Sequence, residues 1–545
     1  MMILTQKFGG IIKLIKTKIY KMKRKILSLV TFLLCLSGFA QTKANGYVFE
    51  DKNQNGKKDH NEPGIANVSV SNGQEVIITD TNGKYEIPVS NDNIIFVIKP
   101  SGYTVKTNEN NLPQFYYVHK PNGSPESEFA GVKPTGKLPK SLDFGLIPSE
   151  EKEKFTALIF GDPQPYNLQE IEYFAQGIVA EVEGIKDIPF GLSLGDLVGN
   201  DLALFNPYIK AVKKVGIPWY NLMGNHDMNF DATEDHLSDE TYEAYFGPAN
   251  YAFNYGKVHF IVMDDILYPD PRDMKGYLGG FRKDQLDFIE NDLKLVSKDK
   301  LVVLAWHIPL FEPEGNNTFR DEDRERLFSI LSEFPNTLSL SAHTHIQRQD
   351  FFGREQGFNR DKPHHEYNVG TTSGDWYSGK LNEDGIPISV MRDGTPKGYA
   401  FIHFDGNSYE TDYKVAGENE EFQMKVFAPK VVAKGRRTQA GIFVNFFMGS
   451  KGDEVLYRID EGEWQPMQFT ESTDPSYELL VNEWDLIEEL IPGRRSSNPI
   501  KSTHLWRGNI PTNLETGKHT IEVQAKDMFG KIYNATSSYT IENAL

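Results

Sequence analysis

The chain has 545 residues, of which 39% are hydrophobic, and its formal net charge is −18 at pH 7. This length predicts two to four domains, and a mean hydropathy of −0.47 excludes a protein with many membrane spans. The acidity argues against a nucleic-acid duplex as the main partner, because binding to a phosphate backbone depends on Lys and Arg. A small phosphorylated substrate is not excluded, because bound metal ions can reverse the local field.

The first 40 residues have the pattern of an export signal. Residues 23–25 are basic, residues 26–36 are apolar, and residues 37–40 form a small-residue cleavage site. We therefore expect a signal peptide at 1–40 and a mature protein in the periplasm, in the medium or at the cell surface. An uncleaved anchor is the alternative. The one cysteine, Cys35, lies in this segment, so the mature chain would have no thiolate ligands.

Residues 45–147 have the pattern of a small all-β domain. Short apolar runs at 68–70, 76–78, 85–87 and 94–98 are separated by turns that include Asn-Gly pairs. This spacing predicts an N-terminal β-sandwich.

Near the start of that domain, the segment 51–62 (DKNQNGKKDHNE) matches a calcium-loop pattern. The ligands in that pattern would be Asp51, Asn53, Asn55, the carbonyl of Lys57, Asp59 and Glu62. A strand-like run precedes the loop, so it is not an EF-hand. It resembles the calcium loop of the β-sandwich repeats in bacterial serine-aspartate-rich adhesins. A polar loop without metal is the alternative.

Residues 152–415 alternate strand-like runs with runs at helical spacing, which predicts one large α/β domain. Residues 418–545 return to short strand-like runs separated by Gly, Asp and Asn. This pattern predicts a second, C-terminal β-sandwich domain.

Five segments rich in metal-ligating side chains follow strand-like runs of the α/β region. They are GDPQ (161–164), GDLVGND (195–201), GNHD (224–227), WHIP (306–309) and AHTH (342–345). Because the carboxyl ends of parallel strands share one edge of a sheet, these side chains can converge on one crevice. The pattern predicts a polynuclear metal site with oxygen and nitrogen ligands.

In order and content, the five segments resemble the motifs of the calcineurin-like metallophosphoesterase family, in particular secreted bacterial members with added N- and C-terminal β-domains. The resemblance spans 155–412. It implies a four-layer α/β core, with two central β-sheets flanked by helices, and two divalent metal ions (Mn, Fe, Zn or Mg). The implied ligands are Asp162, Gln164 and His345 for the first metal, Asn225, His307 and His343 for the second, and Asp196 for both. Two positions depart from the family pattern. Gln164 replaces a His, which weakens the first metal position and favours oxygen-tolerant metals, and Ala342 replaces a Gly.

The resemblance also implies an activity. The protein would hydrolyse phosphomonoesters or phosphodiesters of a small molecule, lipid or glycan by attack of a metal-bridging hydroxide, with His226 as a catalytic residue rather than a ligand. Asp227 is assigned as a second catalytic residue that would hold the tautomer of His226, and a solvent-facing turn residue is the alternative. Two alternatives remain: a non-catalytic surface binding protein with a relic metal site, and a phosphoprotein phosphatase.

Overall fold

The structure is a computed structural model that describes residues 18, 20, 22, 42–312 and 318–544. The described residues before 44, with 88–90, form one unit, and the described residues of 44–87 and 91–544 form a second; apart from the ends of two strands, the architecture below is that of the second. Almost all of the predicted signal peptide lies outside the described residues. Among the residues that are described, no helix is both long and apolar enough to cross a membrane.

The N-terminal region consists of two four-stranded sheets, with strand orders β4-β1-β8-β6 and β3-β2-β5-β7. The strands are β1 Lys43–Glu50, β2 Ser69–Ser71, β3 Val76–Ile78, β4 Lys84–Pro88, β5 Asn93–Val97, β6 Tyr103–Thr104, β7 Tyr116–His119 and β8 Phe144–Pro148. Alternate residues of β4, Tyr85 and Ile87, are buried, because successive side chains of a strand point to opposite faces.

The described residues of the central region form fourteen strands and five α-helices. The strands are β9 Lys154–Phe160, β10 Gly191–Leu194, β11 Trp219–Leu222, β12 Tyr251–Tyr255, β13 Val258–Val262, β14 Ile266–Leu267, β15 Leu278–Gly279, β16 Leu301–Ala305, β17 Thr337–Ser341, β18 Arg348–Phe352, β19 His364–Asn368, β20 Gly379–Lys380, β21 Gly398–Asp405 and β22 Ser408–Val415. The helices are α1 Leu168–Gly177, α2 Phe205–Val212, α3 Glu240–Phe246, α4 Lys283–Leu293 and α5 Asp321–Leu331. One sheet has the order β11-β10-β9-β21-β22, and the other β12-β13-β16-β17-β19-β18.

The two central sheets face each other across an aromatic core. The ring centroid of Phe190, next to β10, lies 5.3 Å from those of both Phe253 and Phe260 in the other sheet. Tyr220 of β11 stacks on Phe253 at 4.2 Å. Edge-to-face and offset contacts of this kind add to the free energy gained by burial.

Helices cover the outer faces of both sheets. Phe174 of α1 packs on Phe160 of β9 at 5.8 Å. On the other sheet, Asp292 of α4 lies 2.7 Å from Nε2 of His259 in β13. The order helix, sheet, sheet, helix confirms the predicted four-layer core.

The C-terminal region is rich in strands, as predicted. Its elements are β23 Met424–Phe427, β24 Val431–Ala433, β25 Gly441–Phe446, β26 Glu454–Ile459, β27 Gln465–Pro466, β28 Gln468–Phe469, α6 Pro475–Asp485, β29 Gly493–Arg494, β30 Leu505–Asn509, β31 Gly517–Lys526 and β32 Ile532–Glu542. Two sheets have the orders β23-β25-β30-β28 and β24-β32-β31-β26-β27, and β29 pairs separately with β20 of the central region. The domain boundaries 45–147, 152–415 and 418–545 stay predictions.

Parallel pairing brings the ends of the central strands together. Strands β9, β10 and β11 are parallel neighbours in one sheet, as are β13, β16, β17 and β19 in the other. Each of the five ligand-rich segments begins within two residues of the end of a strand: β9, β10, β11, β16 or β17. The fold therefore places all five segments at the carboxyl ends of two facing sheets, where ligands bind in open α/β sheets.

Candidate metal centre

Four of the predicted ligands meet around the imidazole of His307. Its Nε2 atom lies 3.1 Å from Oδ1 of Asn225 and 3.3 Å from Oδ2 of Asp196. The same atom lies 3.2 Å from Nδ1 of His343. Among the described residues, Asp196, His307 and His343 are the one group of three acidic, Cys or His side chains with ligand atoms within 4.8 Å of one another. Asp162 lies beside this group, with Oδ1 3.7 Å from Nδ1 of His307.

The two remaining predicted ligands form a pair of their own. Nε2 of His345 lies 2.8 Å from Oε1 of Gln164. The backbone N–H of Gln164 donates to the carbonyl of Asp196 at 2.8 Å, which ties this pair to the group around His307. The structure thus brings all seven predicted ligands into one buried region.

The hydrogen bonds of two imidazoles show that this region fits a cation. Nδ1 of His345 lies 2.6 Å from the carbonyl oxygen of Gly374, and Nδ1 of His307 lies 2.8 Å from that of Leu194. A carbonyl can only accept, so each Nδ1 carries a proton, and each ring offers an Nε2 lone pair to the site whenever Nε2 is deprotonated. These lone pairs face oxygen atoms of Gln164 and of other predicted ligands. Acceptor atoms that face acceptors are what a metal ion between them would satisfy.

Burial and nearby charges shift the pKa values of the predicted ligands in different directions. Burial raises the pKa of Asp162 well above its usual value, and it lowers the pKa of His343 to about 3 and that of His345 to about 4. At His307 burial acts in the same direction as at the other imidazoles, but the nearby carboxylates of Asp196 and Asp162 outweigh it and raise the pKa to about 10. In the absence of a metal, a proton on His307 therefore offsets the buried negative charge that a divalent cation would offset.

The ligand-bearing turns have an unusual backbone. The φ angles are +31° at Asp162, +38° at Gln164, +47° at Asp196, +68° at His343 and +52° at His345. Residues with a side chain rarely adopt this left-handed region, and such strain concentrates at functional sites.

A glycine in the third segment allows two of the turns to touch. A Cβ atom on Gly224 would lie 2.0 Å from the backbone nitrogen of Asp196 and 2.2 Å from its Oδ1. The chain between β11 and Asn225 can therefore approach Asp196 only because position 224 has no side chain.

His226 lies at the partly exposed edge of the ligand group. Its backbone N–H donates to Oδ1 of Asp196 at 2.8 Å, and its Nδ1 lies 2.6 Å from Oδ1 of Asn200. Since the amide oxygen can only accept, Nδ1 carries a proton and Nε2 is left for chemistry in the site. Asn200 lies inside the predicted GDLVGND segment, and the sequence interpretation did not single it out.

Asp227 has a different role from either predicted one. Its buried carboxylate accepts hydrogen bonds from the backbone N–H groups of Leu197, Val198 and Gly224, at 3.0, 3.1 and 2.8 Å. It neither holds the ring of His226 nor faces solvent, so its assignment as a catalytic residue is corrected to that of a positioning residue. It joins the turn after β10 to the turn after β11.

Several residues outside the five segments also contact the site. The carboxylate of Asp265 accepts from the backbone N–H groups of His307 and Ile308, and burial raises its pKa to about 7. The aromatic rings are Tyr166, 5.9 Å from His226, Tyr277, 6.0 Å from His343, and Trp376, stacked on His345 at 4.1 Å. Tyr166 follows the first segment by two residues, whereas Tyr277 and Trp376 come from loops far from the motifs in sequence.

The predicted calcium loop forms a closed turn in the N-terminal region. The buried carboxylate of Asp51 accepts from the backbone N–H groups of Asn55 and Gly56, at 3.1 and 2.8 Å. The side-chain amides of Asn53 and Asn55 donate to Asp59 at 2.8 and 2.9 Å. The carboxylates of Asp51, Asp59 and Glu62 do not form a group of three with ligand atoms within 4.8 Å of one another. Among the described residues, that criterion is met at the centre around His307.

Comparison with family models identifies the class to which this fold and site belong. Three models match in chain order: the N terminal of calcineurin-like phosphoesterase over residues 52–133, calcineurin-like phosphoesterase over 155–347, and the C terminal of calcineurin-like phosphoesterase over 366–533. Together they match well over half of the chain. The chain belongs to the calcineurin-like phosphoesterase family, a family of metal-dependent hydrolases.

Similarity to individual proteins is more limited. A 54-residue stretch is 48% identical to Colossin-A of Dictyostelium discoideum, over 9% of this chain and 0% of that protein to the nearest per cent. Purple acid phosphatase PPD1 from yellow lupin (Lupinus luteus) seeds aligns at 12% identity and a TM-score of 0.36, over 65% of this chain and 69% of that chain. The Clostridium perfringens spore cortex lytic enzyme SleM aligns at 11% identity and a TM-score of 0.19, over 72% of this chain and all of that one. At these TM-scores neither structural alignment carries an argument.

Proposed function

We propose that this protein is an exported phosphoric ester hydrolase that uses two divalent metal ions held by the seven named ligands. The observation that carries the proposal is the meeting of those seven residues at the carboxyl ends of two facing sheets. The half-exposed imidazole of His226 lies at the edge of the same group. A site that only bound metal for stability would not need a titratable group at its open edge.

The metal ions would supply Lewis-acid stabilisation of the phosphoryl oxygens and a nucleophile at neutral pH. Gln164 and His345 would hold the first position with Asp162. Asn225, His307 and His343 would hold the second, and Asp196 lies between the two sets.

The remaining chemistry belongs to His226 and its partner. The amide oxygen of Asn200 accepts from Nδ1–H whether the imidazole is neutral or charged, so the proton that moves is the one on Nε2. His226 would orient the phosphoryl group or protonate the leaving oxygen. This assignment gives the chain a general acid that is not itself a metal ligand.

The substrate class follows from charge and export. We infer a phosphorylated small molecule, lipid or glycan outside the cytoplasm, because the chain is acidic overall and begins with a predicted signal peptide. Export also makes a phosphoprotein less suited as the substrate. The chain itself would be periplasmic, secreted or bound at the cell surface.

Hydrolysis of mono- and bis-nitrophenyl phosphate by protein loaded in turn with Mn, Fe, Zn or Mg tests the proposal. Turnover of either ester that requires added metal supports it, and the ratio of the two rates gives the preference for monoesters or diesters. A protein that binds two metals and hydrolyses neither these esters nor a phosphopeptide would instead be a non-catalytic binding protein. Turnover of the phosphopeptide alone would favour the phosphoprotein phosphatase.

We also propose that the loop 51–62 binds calcium. The closed turn supports it, because it holds the buried carboxylates of Asp51 and Glu62 in one short loop with the oxygen donors of Asn53, Asn55 and Asp59. The expected dissociation constant is about 10⁻⁴–10⁻³ M, typical of extracellular modules. Calorimetric titration of the full chain and of Glu62→Gln with Ca²⁺ measures it, and equal heats from both proteins would contradict the proposal.

A further inference from the structure

A short pair of strands joins the C-terminal region to the loop beside the metal centre. Strand β29 (Gly493–Arg494) pairs antiparallel with β20 (Gly379–Lys380), with Arg494 opposite Gly379. Strand β20 directly follows the loop 371–378, and the first residues of this loop bond to the first ligand segment: the N–H and hydroxyl of Thr372 both donate to the carbonyl of Gly161, at 2.7 and 2.9 Å. A residue from far along the chain is thereby fixed beside the site.

The guanidinium of Arg494 is held next to a metal ligand. It donates a hydrogen bond to the carbonyl oxygen of Trp376, and the ring of Trp376 is stacked on His345 with centroids 4.1 Å apart. Arg494 is exposed. Among the described residues, its guanidinium donates a hydrogen bond only to the Trp376 carbonyl. A guanidinium has five N–H donors, so most of those of Arg494 point to solvent at the edge of the site.

The opening of the site is the side on which Tyr166 is exposed and His226 and Trp376 are partly exposed. Tyr166 accepts a hydrogen bond from Nε2 of Gln164 at 3.3 Å, and its ring lies 5.9 Å from that of His226. Through its bond to Trp376, the exposed Arg494 lies on this side of the site.

We propose that Arg494 is a substrate-binding residue that the C-terminal β-domain supplies to the active site, where its guanidinium binds oxygens of the substrate phosphoryl group. This inference rests on the proposed function and adds a part of the chain that the metal motifs do not include. A planar guanidinium matches two phosphoryl oxygens at once, and such charge-assisted bonds are stronger than neutral ones. The chain as a whole is acidic, so a cation at the opening would favour the approach of an anionic phosphoryl group.

The next residue provides a matched control. Arg495 is also on the surface, but its guanidinium is bound by Asp485, with N···O distances of 2.6 and 2.9 Å, and by the carbonyl of Ser496. It has the same charge and nearly the same position in the chain, and it contacts no residue named in the site. Arg495→Gln therefore removes a cation from the same surface without touching the opening.

The test is calorimetric binding of inorganic phosphate to the metal-loaded full chain, together with KM and kcat for a nitrophenyl ester and the metal content of each variant. We expect Arg494→Gln to raise the Kd for phosphate about tenfold or more, to raise KM more than it lowers kcat, and to keep its metal. Arg494→Lys should fall between wild type and Arg494→Gln, because it keeps the charge without the planar fork. Arg495→Gln should stay within about twofold of wild type.

Two results would overturn the inference: phosphate binding by Arg494→Gln equal to that of wild type, or equal weakening in Arg494→Gln and Arg495→Gln. The proposed function fails differently. A wild type that turns over no phosphoester but loses phosphate affinity on Arg494→Gln would remove the hydrolase assignment and leave that of Arg494.

Discussion

The Nδ1 atom of His226 lies 2.6 Å from the Oδ1 atom of Asn200, and this contact determines which nitrogen of the imidazole is left to exchange a proton. Because an amide oxygen only accepts, the contact fixes a proton on Nδ1 and leaves Nε2 to exchange one. The side chain next to His226 in sequence, Asp227, instead bonds to backbone N–H groups of two turns. The imidazole is therefore oriented from a neighbouring segment.

Replacement of His226 by Ala should lower kcat for a nitrophenyl ester roughly 100- to 10,000-fold, the usual range for loss of a general acid. Its metal content should stay that of wild type, because the ring is not a ligand. Elemental analysis and steady-state kinetics on the same preparation check both. The exposed His236, paired with Glu234 outside the centre, gives the control His236→Ala. Loss of metal together with activity would make His226 a ligand and contradict its assignment.

Asn200→Ala should reduce kcat less than His226→Ala, by about tenfold, because the imidazole remains but loses its fixed orientation. The double variant should be no slower than His226→Ala alone, since residues that act as a unit are not additive. Asn206, an exposed residue bonded to Tyr245, provides the control Asn206→Ala. Additive losses in the double variant would show that Asn200 acts independently of the imidazole.

Gly224→Ala should disrupt the centre, because the new Cβ would lie 2.0 Å from the backbone of Asp196. We expect a destabilisation of about 2–4 kcal/mol, as for other strained or overpacked substitutions, and loss of bound metal. A thermal unfolding scan and elemental analysis measure these effects. A Cβ on Gly452 would meet no atom within 4 Å, so Gly452→Ala should behave as wild type. Full metal content in Gly224→Ala would refute the packing argument.

Asp239→Asn should stabilise the protein at neutral pH. Burial raises the pKa of the Asp239 carboxyl from 3.8 to about 6, although Arg282 and Lys120 act against it. The folded state thus binds this proton more tightly than the unfolded state does. The contribution of the Asp239 carboxyl to the stability of the fold therefore falls as the pH rises from about 4 to 6. The shift corresponds to at most about 3 kcal/mol. Unfolding midpoints should therefore separate above pH 6 and coincide near pH 4.

The exposed Asp384 offers the control Asp384→Asn for that measurement. It should unfold at the wild-type midpoint at both pH values. An unfolding midpoint at pH 7 that is lower for Asp239→Asn than for the wild type would contradict this prediction. It would mean that the ionised carboxylate stabilises the fold through Arg282 and Lys120.

The parts of the site that the sequence predicts are those with a local signal. The apolar runs before Asp162, Asp196 and His307 are strands, and the change from apolar to ligating residues marks their ends. The contact of Asn200 with His226 depends on the relative positions of two turns, which no pattern within one segment specifies. Arg494 is further removed, because 118 positions separate it from Trp376. Asp227 was misassigned since neighbours in a turn point in different directions, although they are adjacent in sequence.

The metal stoichiometry and activity of Asp196→Asn test the central claim most directly. The proposal assigns Asp196 to both metal ions, and its carboxylate is 3.3 Å from Nε2 of His307. After removal of metal and reloading, the wild type should bind two ions per chain and hydrolyse a nitrophenyl phosphate. Asp196→Asn should lose at least one ion and most of the turnover. An Asp196→Asn protein that keeps two ions and hydrolyses the ester at the wild-type rate would contradict a two-metal phosphoesterase built around this residue.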